Sequence, residues 1–396
     1  MRLPTTSASW WGPPKKFDRP QEERRVSWLE LFYDLVYVIA ISRITHHFSL
    51  HITTESFFEY AVMFILIYWG WVNGSLYHDI HGNDGLRTRL MTLWQMVIIA
   101  ALAVVIDQTQ ENRFFNIMVV LMIMQLYITY MWWSVGFYDK SHRRYNRPYT
   151  ILYLISLALM ALTLFLNSEW QKLLFPLIII CNYAPPMFSV VLLNRDRSDI
   201  ALSSSMFERM GLLVIIMFGE VVLGVVNGIT QTNASGFSTW LNFTLEIAIV
   251  FALWWIFFTI VAQRDAQKGF LKASLLEYLF IPLLLSLGLV AVSFTVFFDT
   301  HHEIPLQKLG YAIATFLVCI RLMMLFLVLP EGMRPLKKPI DFSLLITAAV
   351  FLISTFITLH INRLYYLAGV LIVLVSEILF LNLRYMALQR KKDASN

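Results

Sequence analysis

Glu30 and Asp34 stand four residues apart in "WLELFYDLVYVIAISRITHHF", with Tyr37 seven after Glu30 and Thr45 eleven after Asp34. On a helix these four residues share one face, whereas Arg43, nine after Asp34, points elsewhere. A second set lies in "FERMGLLVIIMFGEVVLGVVNGI", where Arg209, Ile216, Glu220 and Asn227 also fall on one side. A carboxylate or guanidinium at the centre of a membrane helix costs about 2.5 to 3.5 kcal/mol, so each set must face protein or water. Two chemistries fit the acidic stripe. It is either a titratable or cation-binding face of a translocation pathway, or a structural ion-pair network of Glu30 and Asp34 with Arg209 or Arg89. Glu220, nearest the middle of its apolar run, carries the largest cost and the stronger functional reading.

Further charge lies late in the chain. Arg321 in "LVCIRLMML" and Glu377 in "VLVSEILFL" fall near the centres of two apolar runs that cross in the same direction, so a buried ion pair between them is expected. In "CNYAPPMFSV", Pro185 and Pro186 remove two backbone donors and free carbonyls near Cys181 and Asn182. Such a break belongs where it lines a cavity or is buried in protein. His78, Asp79, His81 and Asp84 of "YHDIHGNDG" are metal ligands by type but lack regular ligand spacing, so a solvated loop with Asp84 capping the next helix is expected. His46, His47, His51, His301 and His302 read as exposed loop histidines, with pH sensing as the alternative. No metal and no cofactor is expected. Cys181 and Cys319 sit inside apolar runs and read as packing residues.

Composition defines what must position these groups. Of 396 residues, 58% are hydrophobic and 14% charged, and mean hydropathy is +0.63. Apolar runs of about 20 residues recur along the chain, the length that crosses a bilayer core. The reading is an all-α, polytopic transmembrane helical bundle. Its twelve spans cover roughly 27–48, 57–78, 88–107, 114–138, 149–167, 171–193, 207–229, 241–262, 274–298, 308–329, 341–360 and 364–386. Residues 1–26 form a polar tail, 27–193 a first half, 194–206 a connection, 207–386 a second half and 387–396 a basic tail. Arg and Lys concentrate in the N-terminal tail and the even-numbered connections, which places both termini in the cytoplasm and the protein in the cell membrane. That asymmetry also accounts for the net charge of +5, and no element resembles a nucleic-acid reader. Glu30 and Glu208 each precede a Leu-Val pair by five residues, a faint echo that would make the two six-helix halves parallel repeats. Glycines 211, 219, 224 and 228 suit close helix approach.

"SWLELFYDLVYV", "RTRLMTLWQM" and "FERMGLLVIIMFGEVVLGV", in this order and spacing, resemble the bacterial low temperature requirement A family over nearly the whole chain. Carried over by residue, the family positions are Glu30, Phe32 and Asp34, then Arg89, then Glu208, Arg209, Gly219 and Glu220. Tyr33 and Tyr37 stand where the family more usually has Phe, which adds hydroxyls to the acidic helix. The resemblance implies an integral membrane protein linked by name to growth in the cold. It implies neither a reaction nor a substrate.

A secondary transporter or channel is the leading class, with the bilayer and a small solute or ion, protons included, as partners. A membrane-embedded enzyme acting on a lipid or lipid-linked substrate is the alternative, and a sensor or scaffold the third. The enzyme reading lacks a nucleophile and base at recognisable spacing, and no Walker or dinucleotide glycine motif is present.

Overall fold

A computed structural model of the chain describes residues 26–82, 85–107, 112–138, 140, 143–192, 202–230, 236–262, 264–297, 307–356 and 362–393. The polar tail up to residue 25, most of the 194–206 connection, Asp84, His301 and His302 lie outside the described residues. Each of the twelve expected spans contains a helix among the described residues, and the sixth is split in two. The described residues therefore hold thirteen α-helices. Seven are long and apolar enough to cross a membrane by length and composition. Large apolar side chains such as Val97, Phe251 and Ile372 are exposed midway along their helices. Exposed apolar surface on this scale suits lipid rather than water.

The chain divides into two compact units. The first contains residues up to Leu213 together with Lys268–Ser274; the second contains Val214–Gln267 and Leu275 onward. The first unit holds α1 (Trp28–Leu50), α2 (Thr54–His81), α3 (Leu86–Ile106), α4 (Arg113–Tyr138), α5 (Arg143–Thr163), α6 (Ser168–Tyr183) and α7 (Pro185–Leu192). Helix α1 packs on α2 and α3, and α5 packs on α4 and α6. Helices α8 (Ser204–Thr230) and α10 (Phe270–Thr295) begin in the first unit and continue in the second.

The gap between α6 and α7 follows from Pro185 and Pro186, which cannot donate to the carbonyls four residues back. The Asn182 carbonyl, which would have met the Pro186 nitrogen, accepts instead from the indole Nε1 of Trp69 at 2.9 Å. The break is thus buried in protein. Gln125 Nε2 donates to the Asn182 side chain at 3.0 Å, and Tyr153 and Trp132 both donate to Asn73 Oδ1, at 2.7 and 3.0 Å. Inside a bilayer such polar contacts and close packing, not apolar transfer, hold helices together.

The second unit holds α9 (Phe237–Ile260), α11 (Gln307–Met323), α12 (Lys337–Phe356) and α13 (Arg363–Asp393). Helix α12 packs on both α11 and α13, and α13 packs on α9. The tenth span is shorter than its apolar run suggests. Helix α11 stops at Met323, and Leu327 and Val328 form a strand paired antiparallel with Ala266 and Asp265. Gln267 seals the pair, its backbone N–H donating to the Phe326 carbonyl at 2.8 Å.

Candidate functional site

The acidic face of α1 starts at its cap. Ser27 Oγ accepts from the Glu30 backbone N–H at 3.3 Å, and the Ser27 N–H donates to Glu30 Oε2 at 2.8 Å, a reciprocal capping box. One carboxylate oxygen of Glu30 is therefore committed to the helix start. The other, Oε1, lies 3.5 Å from Arg209 Nη1 and 3.7 Å from His78 Nε2. One turn on, Asp34 Oδ1 accepts from Arg209 Nη2 at 2.6 Å and from the Trp71 indole at 2.8 Å, while Oδ2 accepts from Arg209 Nε at 3.3 Å. Arg209 and Asp34 thus form a two-pronged pair, the strong geometry for guanidinium and carboxylate. The guanidinium is buried, 5.5 Å from the centre of the Tyr33 ring and 5.8 Å from that of Trp71. Tyr37 and Thr45, placed on the same face by spacing, are buried too, and Arg43 instead reaches Asp107 at 2.5 Å on an exposed side.

Arg209 is aimed by the way α8 begins. Asp79 accepts from the hydroxyls of Ser203 at 2.6 Å and Ser205 at 2.7 Å, and Ser203 Oγ accepts from the Met206 N–H at 2.9 Å. The last turns of α2 thereby anchor the first turn of α8. This overturns the expected solvated loop: α2 runs on to His81, and His81 is buried beside Tyr77 and Trp132. Helix α3 begins at Leu86 with Gly85 in the cap position and no side-chain cap bond.

The hydroxyls of Tyr33 and Tyr37 are both used. Tyr33 faces the carbonyls of Gly70 and Trp71, 3.3 Å from each, and Tyr37 accepts from Gln95 Nε2 at 2.8 Å. Gly74 makes this approach possible, because a β-carbon there would overlap the Tyr33 hydroxyl and the Gln95 amide. Beside the cluster is a narrow cleft, with room for about one water molecule, whose wall includes Glu30, His78, Thr88, Thr92, Gln95 and Arg209. Trp71, Gly74 and His78 were not singled out by sequence reasoning as partners of Glu30 and Asp34. Their spacing of three and four was the available signal, since it puts all three on one stripe of α2.

Of the two arginines in "RTR", Arg87 is the buried one, donating to Tyr77 at 3.0 Å and Ser134 at 3.1 Å. Arg89 is half-buried and makes no side-chain hydrogen bond among the described residues. Arg209, not Arg89, is the partner of the acidic face. Phe32 and Glu208 are exposed.

In the second unit, Glu220 and Asn227 are half-buried on α8 and Gly219 is exposed. Two of the four glycines of α8 serve close approach. A β-carbon on Gly224 would stand 2.5 Å from the Ala291 carbonyl oxygen, and one on Gly228 would overlap that of Phe294, whereas Gly211 and Gly219 meet nothing within 4 Å. The expected Arg321–Glu377 pair is not formed. Arg321 lies in the last turn of α11 with Nε 3.8 Å from Asp341 Oδ1. Glu377 accepts from the hydroxyls of Ser343 at 2.7 Å and Thr347 at 2.9 Å. The reason is packing order: α12 lies against both helices and presents partners to each. No group of three His, Cys, Asp or Glu able to hold a metal ion occurs among the described residues.

A family model described as bacterial low temperature requirement A protein matches residues 25–378. No curated protein and no solved structure matches the chain.

Proposed function

We propose a transport function from one premise: the chain belongs to the bacterial low temperature requirement A family. It is read as a multi-pass protein of the cell membrane, with both termini cytoplasmic, that passes a small solute or ion across the bilayer as a secondary transporter or channel. The observation that carries this reading is the position of the buried acidic cluster on the wall of the cleft. Glu30 and Asp34 both reach the Arg209 guanidinium, and Glu30 forms part of the cleft wall together with His78. Asp34 is held by three donors and fixes the geometry. Glu30, on the cleft wall with His78 Nε2 3.7 Å from its Oε1, is the group placed to take a proton or meet a cation from the cleft. Intramembrane ionisable groups of this kind mark ion and substrate pathways. The cold-growth link in the family name is extended to this chain on the same footing.

The test is flux through purified protein in liposomes, with a proton gradient imposed across the bilayer. Wild-type protein should give protonophore-sensitive uptake of an alkali cation or small solute, or a current. Glu30→Gln should abolish it while folding normally, because Glu30 keeps its cap geometry as the amide. Equal flux through wild type and Glu30→Gln would sink the assignment of the exchange role to Glu30. Absence of any flux, together with a membrane lipid composition that changes on overexpression, would favour the enzyme reading instead.

A further inference from the structure

Helix α9 holds a carboxyl group that no pairing explains. Glu246 is fully buried, and neither of its oxygens has a hydrogen-bond partner. One turn earlier, Asn242 Oδ1 is likewise buried without a partner. Residues four apart share a helix face, so the two carboxyl oxygens and Asn242 Oδ1 lie on one side of α9, and none of the three is hydrogen-bonded among the described residues.

Helix α13, which packs on α9, does not supply a donor. Arg363 Nη1 donates to the Phe297 carbonyl at 2.6 Å, Glu377 accepts from Ser343 and Thr347, and the exposed Arg384 lies over the Phe380 ring. The Tyr366 hydroxyl is buried without a hydrogen-bond partner among the described residues, so it does not serve Glu246 either. An ionised carboxylate without donors in an apolar interior is among the most costly arrangements a protein can hold. Taking up one proton removes the charge and creates one O–H, for which Asn242 Oδ1 is an acceptor one turn away. A metal cation is the poorer occupant, since three oxygens from one helical turn fall short of the six or so that hard cations need.

We infer that Glu246 is held as the neutral acid and forms with Asn242 a second proton-binding site of this protein, distinct from the cluster of Glu30, Asp34 and Arg209. The inference stands whether or not that cluster exchanges a proton, because it rests on other residues.

The experiment is infrared difference spectroscopy of the full-length protein in lipid bilayers near pH 7, wild type against Glu246→Gln. The wild type should show the carbonyl stretch of a protonated carboxylic acid that the variant lacks. Asn242→Leu should shift that band, because the acid loses its acceptor. Loss of carboxylate bands in Glu246→Gln, with no acid band lost, would overturn the inference. A second measurement needs no variant. A hydrophobic carbodiimide adds across a protonated carboxyl, so the wild-type protein should carry the adduct on Glu246 by peptide mass spectrometry, with labelling falling about tenfold or more in strong alkali. Labelling of Glu377 with none on Glu246 would equally overturn it.

Discussion

Asp34 in the first unit and Glu246 in the second are both fully buried carboxyls on apolar helices, and their surroundings are opposite. Asp34 takes two donors from Arg209 and one from Trp71; Glu246 takes none. Glu377 lies between these extremes, with two hydroxyls and no cation. Burial therefore does not define a role for an intramembrane acid. The donors around it do, because they determine whether the charged form is compensated, and so what the helix loses when a neighbour is removed.

The largest effect should come from taking away the shared cation of the first unit. Arg209→Leu removes the cation that Glu30 and Asp34 share and leaves the buried Asp34 carboxylate with the Trp71 indole alone, at a cost of about 3 to 5 kcal/mol. The protein should fail to accumulate as a monodisperse species after detergent extraction. Arg209→Lys should recover only part of the yield, since an ammonium cannot span both oxygens of Asp34 while also reaching Glu30. Wild-type yield from Arg209→Leu would mean that the cluster does not hold α8 to α1, and the contrast with Glu246 would collapse.

A smaller loss follows from removing one neutral donor. Trp71→Phe keeps the ring that faces the guanidinium but deletes the N–H to Asp34, a hydrogen bond to a charged group worth about 1.5 to 3 kcal/mol. The thermal midpoint in detergent should fall, and the loss should shrink when Asp34→Asn is already present. Equal losses in both backgrounds would show that the indole acts through packing alone.

The acidic face was legible in the sequence because helical spacing is local. Glu30, Asp34, Tyr37 and Thr45 needed only the 3.6-residue period to be placed together, and the cost of burying them demanded a cation, for which Arg209 was one of two candidates. What stayed hidden depends on which helices are neighbours. His78 and Asp79 read as loop residues because Gly, Asn and Asp follow them, and only the packing of α2 on the start of α8 turns them inward. The Arg321–Glu377 pairing failed for the same reason, since matched depth on two helices does not reveal a third that offers nearer partners. The end of the tenth span is ambiguous in the sequence because "FLVL" is apolar whether it continues a helix or pairs as a strand.

Helix α8 offers a comparison within one element. Gly224→Ala drives a methyl group into the Ala291 carbonyl, and the backbone must shift at a cost of about 1 to 3 kcal/mol. Gly219→Ala meets open space and should lose nothing, with the better helix propensity of alanine in its favour. Thermal midpoints of the two variants should separate clearly. Coincident midpoints would mean that α8 and α10 are not held at the spacing described.

The smallest effect is expected at Arg321. Its Nε and Asp341 Oδ1 are 3.8 Å apart, too far for a hydrogen bond, and the two side chains are 29% and 22% exposed. A loose, partly exposed pair of this kind contributes about 0 to 1 kcal/mol. Arg321→Leu should therefore accumulate almost as wild type, where a true partner of Glu377 would have left a buried carboxylate stranded. Glu377→Gln should also be mild, because its amide oxygen can still accept from one of the two hydroxyls. The decisive measurement is the double variant. If α12 separates the two residues energetically as well as in space, the losses from Arg321→Leu and Glu377→Gln should add to within about 0.5 kcal/mol. A coupling well above that would mean the two side chains meet after all, and Glu377 would then belong with Asp34 among the cation-compensated acids.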